Sequence, residues 1–365
     1  LAVHCFSFEE PPLTRGASNR AERIALGFLI LILVGLPASV LGYQFVLRPA
    51  LADVRTIDIV AAATEAGGFQ PDIIRVAAGE TVRLRFSAPD VTHGLAIGPG
   101  LGLDLGQIDP GEVEEVEVTF DRAGRYTVYC NTWCSPNHWR MRGTIEVYDP
   151  ANPDALPLEA ASDPVIEALA ARGVDIDAPH KALVVPPEQP SAVRGAAVVA
   201  QLGEGLPVEL TRPNWRRTHS PAEAWTLLSE ANLSEQGAWD AVAYLWLSKI
   251  DPTQLERAAT LYDKNCAVCH GQSGDGKGPG ADALAAQGVG RQSDMIIAEG
   301  PTAFTTSRTM LGGTSDLYYA KVRRGGMGTG MPSFGPIFTP AETWLLVDYL
   351  WTFPLRGRSS VFEMD

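Results

Sequence analysis

The chain has 365 residues, with 43 acidic and 29 basic side chains, a net charge of −14 and 45% apolar residues. That length predicts two or three domains, and the apolar fraction provides for real cores and excludes wholesale disorder. The acidic balance disfavours nucleic acid and suits a basic protein partner.

The first element is an apolar run. No charged residue stands between Arg23 and Arg48, which leaves Ile24 to Leu47, 24 residues, long enough to cross a bilayer once. Pro37 and the glycines inside it are tolerated in a membrane helix. A cleaved signal peptide is the alternative; it would be shorter, although small residues do follow Arg48. Residues 1–54 are read as an N-terminal segment and an uncleaved membrane helix. Arg15, Arg20 and Arg23 precede the run and Arg48 and Arg55 follow it, so charge bias orients it only weakly.

Residues 55–149 read as a β-sandwich. Ile57–Val60, Glu80–Phe86 and Gly124–Tyr129 alternate in character or are rich in β-branched and aromatic residues. Val116, Val118 and Phe120 fall on one strand face, with Glu115, Glu117 and Thr119 on the other. Ala78-Gly79, Asp109-Pro-Gly111 and Ala123-Gly124 mark turns between them.

Within this segment stands Cys130-Asn-Thr-Trp-Cys134-Ser-Pro-Asn-His138-Trp-Arg-Met141. Two thiols, an imidazole and a thioether are soft or borderline donors that suit copper. His93, in Asp90-Val-Thr-His-Gly94, is placed to add a second imidazole. A disulfide or a two-Cys, two-His zinc site would use the same residues, but neither uses Met141 at its spacing. A single copper ion would not need Cys130, whereas two cysteines four apart can bridge two ions.

From residue 150 to 190 the composition turns acidic and Pro-containing and reads as a linker, with a short helix over Pro164 to Arg172. The remainder contains a repeat. Trp239, Val242, Tyr244, Leu245 and Trp246 recur at one offset as Trp344, Val347, Tyr349, Leu350 and Trp351. The later copy, 251–365, holds Cys266-Ala-Val-Cys269-His270, the pattern of covalent c-haem attachment with His270 as proximal ligand. Met331, in Gly328-Thr-Gly-Met-Pro-Ser-Phe334, is the expected distal ligand, with Met327 as runner-up. The earlier copy, 191–250, lacks both stretches and is read as a degenerate, haem-free helical domain. Of the five cysteines only Cys5 is then left over. His180 and His219 receive no role.

The spacing Cys-x3-Cys-x3-His-x2-Met, together with His93, resembles the CuA site of subunit II of haem-copper oxidases. The single N-terminal helix and the segments Gly68–Asp72, Asp90–Gly94 and Asp109–Val113 resemble the B-family style of that subunit. The resemblance implies a cupredoxin fold carrying two copper ions bridged by Cys130 and Cys134. His93 and His138 would each cap one copper, with Met141 and the Thr132 carbonyl as weak ligands. Many A-family members have Glu at the Thr132 position, where it also binds magnesium; Thr132 removes that carboxylate. Residues 251–355 resemble class I cytochromes c, with Asp275–Pro279 as a haem-wrapping loop.

The expected architecture is therefore multidomain: one membrane helix, a β-sandwich, then all-α cytochrome-like domains. Covalent c-haem implies that the bulk of the chain is extracytoplasmic. The implied function is electron input to a cytochrome c oxidase. A quinol-oxidising complex or a small redox protein would donate, and a haem-copper catalytic subunit I would accept. No dioxygen-reducing site is expected in this chain. The input subunit of a nitric oxide reductase, or an anchored electron shuttle, would use the same modules. The resemblance also offers Glu22, just before the helix, a part in admitting protons.

Overall fold

The structure is a computed structural model that describes residues 15–43, 54–155, 162–286, 291–292, 295–296, 300–326 and 330–356. The chain divides into two compact units, Leu1–Arg55 and Thr56–Asp365.

In the first unit, α1 (Arg15–Ile30) passes through a π-helical turn, Leu31–Gly35, into α2 (Leu36–Gly42). Pro37 enters the first turn of α2, where its missing N–H breaks the regular ladder. Arg20–Gly42 forms 23 helical residues of mean hydropathy 2.7. At 1.5 Å per residue this spans about 35 Å, enough for a hydrocarbon core of ~30 Å. Its apolar side chains are exposed, Leu33 at 65%. Residues 44–47, the expected end of the run, lie outside the described residues, as does Cys5.

The second unit opens with a sandwich of two sheets. One runs in the order β2 (Phe69–Gln70), β1 (Arg55–Ala61), β4 (Thr81–Ser87), β7 (Val113–Thr119). The other runs β3 (Ile73–Ala77), β9 (Arg142–Tyr148), β8 (Gly124–Tyr129), β5 (His93–Gly98), β6 (Leu103–Ile108). The β3–β9 pair is parallel; β8 pairs antiparallel with both β9 and β5. Alternation selects the core. Val82, Leu84 and Phe86 of β4 point in at 0% exposure, opposite Ile145 and Val147 of β9. Val118 and Phe120 also face inward, as their spacing predicts.

The segment expected to be a linker is a packed strap over its described part. Asp163 caps α3 (Pro164–Ala171), accepting the Val165 N–H at 3.0 Å. Leu169 and Ile176 bury themselves against Leu317 and Ala320. Three ion pairs hold the strap down: Asp163–Arg323 at 3.1 Å, Asp177–Arg324 at 2.5 Å, and Arg172–Asp316.

The helical part is built on two crossings. In the first, α4 (Ala192–Leu202) crosses α6 (Glu235–Leu247) at Gly195, where a Cβ would lie 1.8 Å from the Asp240 carbonyl oxygen. Ser220 and Glu223 form a capping box on the intervening α5 (Pro221–Ser229). The second pairs α7 (Pro252–Asn265) with α10 (Pro340–Leu350), itself started by a Thr339–Glu342 capping box. Between these lie α8 (Ala267–His270) and α9 (Ser315–Arg324). The repeat-related Trp246 and Trp351 meet edge to face, ring centroids 6.4 Å apart. Trp239, Trp246, Trp351 and Tyr262 belong to one continuous apolar core. The boundary at residue 250 thus divides the sequence but not the packing.

Candidate metal centre and haem cleft

The soft donors gather at one end of the five-stranded sheet. Cys130 follows β8, Met141 precedes β9, and the Cys130 N–H donates to the Met141 carbonyl at 3.2 Å, closing the loop. His93 opens the neighbouring β5. Gly94 beside it admits the loop: a Cβ there would stand 2.9 Å from the Thr132 nitrogen. A 3₁₀ turn, His138–Arg140, brings His138 back toward the thiols.

One donor atom from each of His93, Cys130 and Cys134 falls within a 4.8 Å cluster. The two Sγ atoms are 3.8 Å apart, so no disulfide joins them. Cys134 Sγ lies 3.6 Å from His138 Nδ1 and 3.8 Å from Met141 Sδ. The Thr132 carbonyl oxygen lies 3.1 Å from Cys130 Sγ. His93, Cys130, His138 and Met141 are all buried.

The polar contacts favour a metal. His93 Nε2 bonds Asp90 Oδ1 at 2.8 Å, while its buried Nδ1 has no protein partner. A carboxylate behind an imidazole that aims its other nitrogen at a thiol pair is the usual support of a metal-bound histidine. Burial works against the Asp90 carboxylate. Hydrogen bonds from the Ala63 N–H and His93, with smaller help from Val91, outweigh it and leave its pKa lowered. The contact with Cys134 holds Cys130 below the ordinary thiol range, and the same contact plus burial pushes Cys134 up to about 11. The donor set fits copper: two thiols, two imidazoles, a thioether and a carbonyl in one dry pocket.

The haem motif sits on α8. His270 donates from Nδ1 to the Thr302 carbonyl at 3.0 Å and stacks on Phe304 at 4.4 Å, which leaves Nε2 for a ligand. Burial lowers the His270 pKa, against the smaller opposing effect of its bond to Thr302. Burial likewise pushes Cys266 up to about 12 and Cys269 to about 11. Both cysteines, His270 and Met331 line one cleft, so the residues fit a covalently attached haem with an axial Met. Gly325 turns at φ 78°, where a Cβ would lie 2.6 Å from the Met331 carbonyl. Met327 lies outside the described residues.

The same cleft is walled on its other side by Tyr129, Cys130, His138, Trp139 and Arg142 of the sandwich. The two halves are locked together around it. Arg142 Nη1 donates to the Ser333 carbonyl at 2.7 Å, and Lys264 pairs with Asp104. Trp133 lies against Gly280, where a Cβ would come within 2.8 Å of the indole. The sequence alone gives Trp133 and Arg142 no signal, whereas Asp90-x2-His93 has a spacing that allows a pair. His219 stacks on Trp215 at 4.2 Å, and His180 bonds the Asp175 carbonyl at 2.7 Å. Glu22 is exposed on α1.

A two-sheet sandwich with a cluster of soft donors and a helical body with a Cys-x2-Cys-His motif share one compact unit. The cytochrome c family model matches residues 255–354. Cytochrome c oxidase subunit 2 of Thermus thermophilus is 39% identical over 80 residues, covering 22% of this chain and 58% of that protein. The same subunit from a second strain of that species is 39% identical over 80 residues and covered to 46%. The chain thus spans about half the length of the curated relatives it matches. Among solved structures, the periplasmic domain of subunit II of cytochrome oxidase from Bradyrhizobium japonicum is 19% identical, with a TM-score of 0.24, over 28% of this chain and 88% of that one. Auracyanin from Roseiflexus castenholzii is 20% identical, with a TM-score of 0.21, over 26% and 96%. The two kinds of match are separate: an 80-residue likeness to oxidase subunit 2, and the cytochrome c family model over residues 255–354.

Proposed function

We propose that this chain is the electron-input subunit of a membrane cytochrome c oxidase, with a copper-bearing domain over residues 55–149 and a haem-bearing one over 251–365. The observation that carries the reading is the single cleft lined both by the haem-attachment motif and by residues of the copper loop. Cys266 and Cys269 would hold a haem through thioethers, with His270 and Met331 as its axial ligands. Cys130, Cys134, His93, His138, Met141 and the Thr132 carbonyl would hold two copper ions. Both groups supply reversible one-electron storage. The protein's part is to keep their ligands rigid, dry and close together. One electron would pass from an upstream donor through the haem cleft and the Cys130–Met141 loop to a catalytic subunit I. The Arg20–Gly42 helix would anchor the chain, with its bulk outside the cytoplasm.

Metal and haem analysis of the purified complex tests the reading. Two copper ions beyond any in the catalytic subunit, and one covalent haem per chain, are expected. A single copper or none in the loop refutes the binuclear site. Reduction of nitric oxide but not dioxygen would assign the module to a nitric oxide reductase. Glu22 is proposed to help admit protons. Glu22→Gln should slow turnover with copper and haem spectra unchanged, and normal turnover removes that role.

A further inference from the structure

A guanidinium on the wall of the cleft has no counter-charge among the described residues. Arg142 follows Met141 at the start of β9 and is half-buried between the two modules. Its neighbours are the Ser333 carbonyl, bonded by Nη1 at 2.7 Å, and the Phe334 ring, 5.6 Å from the guanidinium carbon. Neither is an anion. The other cations lining the cleft differ. Lys264 pairs with Asp104; Lys321 bonds the Ile176 carbonyl and lies in the field of Asp177 and Asp175. No carboxylate of the described residues lies within ion-pair distance of Arg142. A guanidinium withdrawn from water this far normally has an anion, because desolvation is costly unless it is paired. Its remaining N–H groups are not sealed in protein, since Arg142 lines the open cleft.

The ligand that the cleft fits brings carboxylates of its own. We infer that Arg142, a residue of the copper module, is the charge partner of a haem propionate bound in the cytochrome module. The inference rests on the haem reading above. A guanidinium presents a planar fork of donors to a carboxylate, which an ammonium does not match. One N–H remains on Ser333, in the loop that follows Met331, so the same side chain would tie the haem, the distal loop and the copper strand together. The positive charge near the haem favours the reduced iron, which carries one positive charge less. Arg142 is thus a positioning residue that raises the haem potential from the neighbouring domain.

The test uses the purified full-length complex and a spectroscopic redox titration of the covalent haem. Arg142→Gln keeps an N–H donor for Ser333 but removes the charge. Arg142→Lys keeps the charge but loses the fork. The Gln variant should favour the reduced haem roughly tenfold less than wild type, a fall of about 59 mV for one electron. The Lys variant should fall by less than half as much. If Gln titrates like wild type, or if Lys and Gln fall equally, the charge pairing is overturned. Should Arg142→Gln not assemble, Arg142→Met, which keeps the aliphatic stem, takes its place in the same titration. Wild-type complex without covalent haem would overturn the haem reading itself and this inference with it.

Discussion

At Gly98 the two modules touch backbone to backbone, and a single methyl group there should loosen them. It ends β5, paired with Thr127 of β8. A Cβ at Gly98 would stand 2.2 Å from the Ile337 carbonyl oxygen and 3.1 Å from its carbon. Carbon and carbonyl oxygen ordinarily approach to about 3.3 Å, so the two backbones must part by about 1 Å. Gly98 is not in the left-handed region, so alanine there is strained only by this contact. β5 is held on both sides by β6 and β8, which makes the Ile337 loop the side that yields. Overpacking of this kind costs about 1–3 kcal/mol, equivalent to a ~5–150-fold weaker docking equilibrium. In Gly98→Ala the copper and haem spectra should be those of wild type. Electron transfer from haem to copper after flash reduction should slow, and the segment after residue 149 should become more sensitive to protease. Wild-type transfer rates together with wild-type protease resistance would refute the argument that this contact fixes the docking.

Three further outcomes are expected. Asp90→Asn removes the charge behind His93 and should weaken copper retention about 10–100-fold, measured by chelator competition; unchanged retention would mean that the carboxylate does not support a ligand. Stripping the copper should lower the thermal stability of the sandwich, by about 4 kcal/mol if the metal stands at 1,000 times its Kd, as seen by calorimetry with and without chelator. Half-buried Asp348 has its pKa raised by burial, which Arg216 and Arg217 only partly offset. The unfolded chain therefore releases that proton first, and stability falls as pH rises from the ordinary carboxylate value through the raised folded one. Asp348→Asn should accordingly raise the melting temperature at pH 7 and bring little gain at pH 4. An equal gain at both values would show that ionisation is not the cause.

What the sequence made legible is what is encoded locally. The alternation of Val82, Leu84 and Phe86 fixes the inward face of a strand without help from elsewhere. Metal-donor spacing in the Cys130–Met141 loop is equally local, because one hairpin supplies most of the donors. The Arg20–Gly42 helix follows from its uncharged composition. The parts that escaped depend on partners far away in the chain. The acidic residues of the strap read as solvated because Arg323 and Arg324, which pair with Asp163 and Asp177, lie more than a hundred positions on. The repeat marks Trp246 and Trp351 as equivalent positions, but nothing in the spacing says that the two rings meet edge to face within one continuous core. Arg142 looked like an ordinary strand residue beside a ligand; its meaning comes from Ser333, 191 positions away.

The locked contact between sandwich and helices also alters the kinetics to be expected. A diffusing cytochrome must collide, orient and leave at each turnover, so its delivery step depends on concentration and is damped by salt. If the proposed haem and copper groups are held here, with Gly98 seated on Ile337 and Lys264 on Asp104, the internal hop would be first order and insensitive to ionic strength. Salt sensitivity would then belong only to the encounter with the external donor, where a net charge of −14 acts at long range.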